Sequence, residues 1–425
     1  MVVAGLGSGV VAATPPFGSV LLLAVMGWVA LMWLVKSLRF GELTRSVSAW
    51  TLAALLLHIT VGIALWQLPH PFKDDALYYN QSALSIVEHW EHGSPLPVFL
   101  PGKMHFLYLI AGVYRVFGPH AEVMLTLNAV LAAALLPLLA DSSRRMFGPT
   151  AARCSLPLVL LLPGVLLWSS MLLREAPAIF LIAVALNAGV RLSEGVKIGR
   201  LLALVLSSAA LVGLRPVVAG AVGGGVLVGL AVGWRRFGSM RLIGGSILLV
   251  LTMTFLLASD VGSELLSSAL ERVSYARSSV GGVATSGIDP EQDISTPGRA
   301  ALFLVTHAPE AFAGPFPWSM KSARHVVALF DVAVWWCLLP TLAVGVRQGV
   351  RRLGSRAAVL LLPAFALQLV LTLAVGDYGT LLRQRPQVVV LLVPFLALGL
   401  SMRTVVAAPQ DPDVVLAPQR RRAPC

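Results

Sequence analysis

Apolar runs of about 17 to 25 residues recur along almost the whole chain, separated by short clusters of Lys and Arg. A helix rises 1.5 Å per residue, so about 20 such residues cross the ~30 Å hydrocarbon core of a bilayer. The runs lie at 17–35, 50–67, 120–140, 151–170, 176–191, 201–214, 217–233, 241–259, 326–346, 357–375 and 387–402. They predict an all-α polytopic membrane protein with about 11 transmembrane helices. Two further segments predict helices that do not cross. Over 74–90, Asp74, Gln81, Ser85, Glu88 and His92 run along one side and Leu77, Leu84, Val87 and Trp90 form an apolar stripe, the pattern of an amphipathic helix on a membrane surface. "KMHFLYLIAGVYRVFG", 103–118, is short and aromatic, carries His105 and Arg115, and is followed by Pro119. It too suits the interface. The Gly/Ser/Pro-rich 278–298 reads as a mobile loop.

Composition supports this reading. The chain is 57% hydrophobic and 12% charged, with mean hydropathy +0.82, which excludes a soluble globular core. The net charge of +12 resides in clusters between apolar runs rather than on one face or tail, so it signals topology and not nucleic acid. With 11 spans and the N-terminus outside, the clusters Lys36/Arg39/Arg45, Arg144/Arg145, Arg191/Lys197/Arg200, Arg235/Arg236/Arg241, Arg347/Arg351/Arg352/Arg356, and Arg403 with Arg420/Arg421/Arg422 all fall on the cytoplasmic side. The expected location is therefore a cytoplasmic membrane, with the C-terminus cytoplasmic. No basic stretch precedes the first run, so that run is expected to stay as a helix. Three cysteines give neither a disulfide framework nor a metal spacing. The expected division is an extra span and loop at 1–49, a module at 50–235 with outer loop 68–119, a second at 236–402 with outer loop 260–325, and a basic tail at 403–425.

The outer face then holds most of the acids, with Lys73, Asp74 and Asp75 opening one loop and Glu175 another. The first-turn acids Asp74 and Asp75 also complement a helix dipole. Arg174, Arg215, Arg383 and Arg385 sit at outer ends of spans, against the positive-inside trend. Placed there they mark function, although snorkelling would account for Arg383 and Arg385, a capped carbonyl for Arg215, and an ion pair for Arg174 with Glu175. Asp74, Asp75 and Glu175 have the oxygen chemistry for a divalent cation, whereas His89 and His92 are a poor metal signal. No cofactor is indicated. Trp318 and Lys321 suit an interfacial anchor.

An acid-bearing loop after an early span, with Asp75, Tyr79 and Ala83 at spacing four and four, then "FLPGK", then an aromatic helix closing on "VFG", resembles the C-type (GT-C) membrane glycosyltransferases. The likeness is to the protein mannosyltransferase and aminoarabinose transferase branch and related bacterial exopolysaccharide membrane proteins. It continues through "LLADSSRRMFGPTAARCSLPLVLLLPGVLLWSSMLLREAP" and spans roughly 50–235. Two features depart from the pattern: the Pro-rich turn is only "LPGK", and an extra span precedes the usual first helix. The resemblance implies a polyprenyl-phosphate sugar donor, membrane lipids as surroundings, envelope-biosynthesis proteins as partners, and transfer to a glycan, lipid or protein on the outer face. It places the catalytic carboxylate on Asp75, with Asp74 as the alternative, and the second acidic position on Glu175. Lys73, Arg174, Arg215, Arg383 and Arg385 would bind the lipid phosphate, with Tyr79 and His105 as further substrate contacts. The rival expectations are a polymerase or ligase using lipid diphosphates, and a flippase with His58, Asn128 and Asn187 near mid-membrane.

Overall fold

The computed structural model describes residues 16–68, 74–96, 103–234, 268, 270–275, 277–278, 288–289, 292–319 and 323–407. Lys73, Lys321, the expected span 241–259, most of the 278–298 loop and the tail past 407 lie outside the described residues. The elements are α1 (Pro16–Leu38), α2 (Thr44–Gln67), α3 (Asp74–His92), α4 (Met104–Phe117), α5 (Ala121–Ala133), α6 (Leu135–Phe147), α7 (Pro149–Leu161), α8 (Pro163–Ser170), α9 (Glu175–Leu192), α10 (Ile198–Leu214), α11 (Pro216–Trp234), α12 (Pro297–Ala313), α13 (Ala323–Leu353), α14 (Ala358–Ala374) and α15 (Tyr378–Ala407). No strand occurs among the described residues. In lipid every backbone polar group needs an internal partner, and a helix supplies one locally.

Among the described residues, seven helical stretches are long and apolar enough to cross a membrane, or eight if a bent pair counts as one. Each expected span within the described residues coincides with helix, but the count of 11 does not carry over as it stands. Residues 329–374 form one helical run of 46 residues, roughly 69 Å at 1.5 Å each, more than twice the hydrocarbon thickness. It contains both expected spans, divided at Gly354–Ala357, where Gly354 takes a φ of +57° that breaks the right-handed path. α10 reaches only 17 residues. The expected span 151–170 is broken: α7 and α8 meet at 56° where Leu162 precedes Pro163, a position that proline keeps out of the helical region.

α15 and α9 lie at the centre of the bundle, and α1 and α2 lie at its edge with their apolar residues outward. α11 packs along α14 through Gly225, Gly229 and Gly233, one per turn. A Cβ at Gly225 would stand 2.5 Å from Pro363 Cα, and one at Gly229 2.7 Å from the Ala358 carbonyl oxygen. Small residues are what permits this approach between membrane helices. Gly229→Ala is expected to destabilise the protein by about 1–3 kcal/mol through overpacking, read as a lower melting temperature in detergent, whereas Gly220→Ala, with nothing within 4 Å, should not.

α3 and α4 form at the predicted places, and α4 at 14 residues is too short to cross. The buried stripe of α3 meets the expectation in part: Val87 is buried and Leu84 packs partly buried beside it. Leu77 and Trp90 are exposed. Ala76, Tyr79, Ala83 and Ile86 are buried instead, against Phe106, Ile110 and Tyr114 of α4. Ala76 and Ala83 let the two helices close, and Leu77 and Trp90 are left for the surroundings.

Candidate functional site: an ion-pair cluster at one end of the bundle

Asp75 sits in the first turn of α3, on the buried side with Tyr79 and Ala83. Tyr79 packs edge-on to Phe106 at 5.0 Å between ring centres. Tyr114 of α4 donates to Asn80 Oδ1 at 2.6 Å, locking the two helices together. Lys103, just before α4, places Nζ 3.6 Å from Asp75 Oδ1 and over the rings of Tyr78 and Tyr79.

Glu175 opens α9 with its side chain only 1% exposed. Arg215 ends α10, where Pro216 forbids a helical residue before it. Its Nη2 donates to Glu175 Oε1 at 2.5 Å. Arg174 donates Nη1 to the Leu214 carbonyl at 3.2 Å, tying the two connections side by side. Arg383, in the second turn of α15, joins the halves: Nη1 bonds Asp75 Oδ2, and Nε lies 3.0 Å from Glu175 Oε1. One guanidinium thus stands between carboxylates from α3 and α9. Glu175 Oε2 and the Tyr79 hydroxyl are buried without a hydrogen-bond partner among the described residues.

Burial alone would push the Asp75 carboxyl up, but the adjacent Arg383, and then Lys103, outweigh it and hold the group below the usual carboxylate range. The Tyr79 hydroxyl is pushed up to about 12 by burial, with Glu175 and Asp75 adding to the shift and Arg174 and Arg383 opposing it. At neutral pH Asp75 is ionised and Tyr79 is not. Because the folded-state value is depressed, the stability Asp75 contributes is present above its unfolded value of about 3.8 and fades as the pH falls through the lower folded value. The melting-temperature gap between the native protein and Asp75→Asn is therefore expected to hold from pH 7 to 5 and to shrink progressively below pH 4.

Other expected site residues stand elsewhere. Arg385 is two residues from Arg383 and so on the opposite side of α15. It bonds the Gly314 carbonyl and lies 3.9 Å from Asp331 of α13, whose Oδ1 accepts from the Gly164 amide at 2.7 Å. The two arginines do not form a common fork. His105 is exposed on α4, with its ring against Gly213 of α10. Asp74 is exposed at the start of α3. Between Asp75 and Glu175 stands a guanidinium, and among the described residues no group of three or more His, Cys, Asp or Glu is placed to hold a metal. Sequence reasoning missed Lys103, whose signal was its place in the "LPGK" turn.

It also missed a second cluster at the other end of α9. Asp141, wholly buried in α6, takes Arg144 and Arg145 at 2.7 Å and Arg191 at 3.1 Å, with Asn187 at 3.0 Å. The "DSSRR" spacing, i to i+3 and i+4, was the available signal. Glu175 and Arg191 are 16 residues apart on one helix, roughly 24 Å, close to the span of a hydrocarbon core.

No protein-family model matches the chain, and no curated protein matches it in sequence. A solved structure similar to it is the archaeal oligosaccharyltransferase AglB from Archaeoglobus fulgidus in complex with an inhibitory peptide and a dolichol-phosphate. Identity is 13%, the match covers 83% of this chain, and the TM-score is 0.44. This chain spans about half the length of that structure, with 50% of it covered. On its own helices, the chain is an all-α membrane protein carrying a buried cluster of carboxylates and arginines at one end of its bundle.

Proposed function

We propose that the chain is a membrane glycosyltransferase of GT-C type, moving a sugar from a polyprenyl-phosphate-linked donor to a glycan, lipid or protein acceptor on the outer face of the cytoplasmic membrane. The observation that carries this reading is the cluster's charge and its division of labour. Four cations, Lys103, Arg174, Arg215 and Arg383, surround two carboxylates, Asp75 and Glu175, leaving positive charge in excess for an anionic leaving group.

Transfer to a hydroxyl needs a carboxylate to accept its proton. Asp75 suits that part: it is ionised at neutral pH, and its side chain is 41% exposed, the more accessible of the two. Glu175 is enclosed and shared between Arg215 and Arg383, which suits holding the arginines in place. Lys103 and Arg383 reach Asp75 and stand ready for the donor phosphate beside it. The flippase reading needs polar groups lining a path at mid-membrane. His58, Asn128 and Asn187 instead bond to Ser170, to the Met171 carbonyl, and to Asp141 with the Leu138 carbonyl.

The excess of cations also favours one second reading, a polymerase or ligase acting on lipid diphosphates. The test is transfer of label from a polyprenyl-phosphate sugar by the protein purified in detergent, with Asp75→Asn alongside. Transfer that depends on Asp75 supports the glycosyltransferase; labelled product from a lipid-diphosphate glycan alone, indifferent to Asp75, supports the second reading.

A further inference from the structure

The link between α8 and α9 carries Arg174 and Glu175 into the cluster, and it is irregular backbone inside the bundle. Met171, Leu172 and Leu173 are buried, with Met171 extended at φ −88°, ψ 162°. Away from water, the carbonyls of such a segment need partners from the protein itself. One lies within the link, where the Leu173 amide donates to the Met171 carbonyl at 2.8 Å; the others come from helices that add no charge to the cluster. Asn128 of α5, wholly buried, donates its amide nitrogen to the Met171 carbonyl at 2.7 Å and to the Leu173 carbonyl at 3.3 Å. His58 Nδ1 of α2 lies 2.9 Å from Ser170 Oγ. One turn further on, Gly62 lets α2 come so near that a Cβ there would stand 2.7 Å from the Ser170 carbonyl oxygen. The link is thus gripped from two sides just before it delivers Glu175.

We propose that Asn128 is a positioning residue for the cluster: by holding the carbonyls of Met171 and Leu173 it sets where α9 begins, and hence where Glu175 meets Arg215 and Arg383. The inference rests on the functional reading above and deepens it. The amide suits this task because one nitrogen carries two N–H groups, enough for two carbonyls two residues apart. Leucine has the same branched outline of heavy atoms, though it is bulkier, and offers neither. The Asn128 Oδ1 atom has no hydrogen-bond partner among the described residues, so the group's hydrogen bonds go to the link alone. A shift of about 1 Å in a charged group at a reacting centre is enough to lower turnover by about 100-fold, which is the scale on which a loosened link would act.

The test uses full-length protein in detergent, as Asn128→Leu, Glu175→Gln and the double variant, with hydrogen exchange and sugar transfer measured on each. Asn128→Leu is expected to speed exchange at residues 171–178 several-fold while α14 keeps its protection. Transfer should fall by about 10- to 100-fold, and this loss should largely vanish in the Glu175→Gln background, since residues acting through one another are not additive. Unchanged exchange at 171–178, or a fully additive double variant, overturns the proposal. If Asn128→Leu does not fold, Asn128→Ser, smaller and unable to reach both carbonyls, gives the same exchange readout. Should Glu175→Gln leave transfer untouched, the site assignment falls, and the exchange data still decide whether Asn128 holds the link.

Discussion

Asp75→Asn is expected to lower sugar transfer by about 100- to 10,000-fold, the usual contribution of a positioned general base, while donor binding survives. The amide keeps the shape of the carboxylate and a hydrogen-bond acceptor for Arg383, so the cluster's outline should persist. What is lost is the proton acceptor. Polyprenyl phosphate bound to purified protein, measured by native mass spectrometry beside the transfer assay, separates the two effects. Asp74→Asn serves as the control. Asp74 is exposed, and its replacement is expected to change transfer by no more than a few-fold. If instead Asp75→Asn transfers at the native rate, the base assignment fails and the reading on lipid diphosphates takes its place.

The second large effect is on stability. Glu175→Gln removes the charge that Arg215 and Arg383 share in a region where the Glu175 and Arg215 side chains are 1% and 6% exposed. Breaking a buried pair by neutralising one partner leaves the other charge uncompensated, at about 3–5 kcal/mol. The expected result is a melting temperature well below that of Asp75→Asn, because Asp75 is partly solvated and its pairing is screened. Glu175→Gln combined with Arg215→Met should recover part of the loss, since a buried pair replaced by neutral groups of similar volume is often nearly neutral in stability. A double variant no more stable than Glu175→Gln alone would mean that Arg215 is not the charge being left exposed.

The helices were legible in the sequence because a membrane span is an autonomous signal of length and hydropathy. The breaks within them were less so. The bend at Leu162 and the split at Gly354 depend on single Pro and Gly residues inside runs that are otherwise uniformly apolar. Of the cluster, Arg174, Arg215 and Arg383 were visible as charges at ends of expected spans, and Asp75 and Glu175 as acids of the connections between them. Which of them meet was not visible, because it depends on how α3, α9 and α15 turn about their axes. Arg385 shows the limit: next but one to Arg383, it faces the other way and serves the Gly314 carbonyl. The buried stripe of α3 was legible at Val87 and Leu84 but not at Ala76 and Ala83, because close packing against α4 admits small residues that an apolar stripe does not mark. Asn128 carries no charge, and its part emerges only when the 171–174 link is seen beside it.

Arg383 and Asp75 are separated by 308 residues, and that distance is also an interval of time. At about 5–20 residues per second of synthesis, the aspartate leaves the ribosome roughly 15–60 seconds before the arginine that neutralises it. Through that interval Lys103 is available to Asp75 and Arg215 to Glu175, but Arg383 is available to neither. The cluster is completed only when α15 takes its place among helices already made, so the order of synthesis keeps a half-built chain from carrying an assembled site.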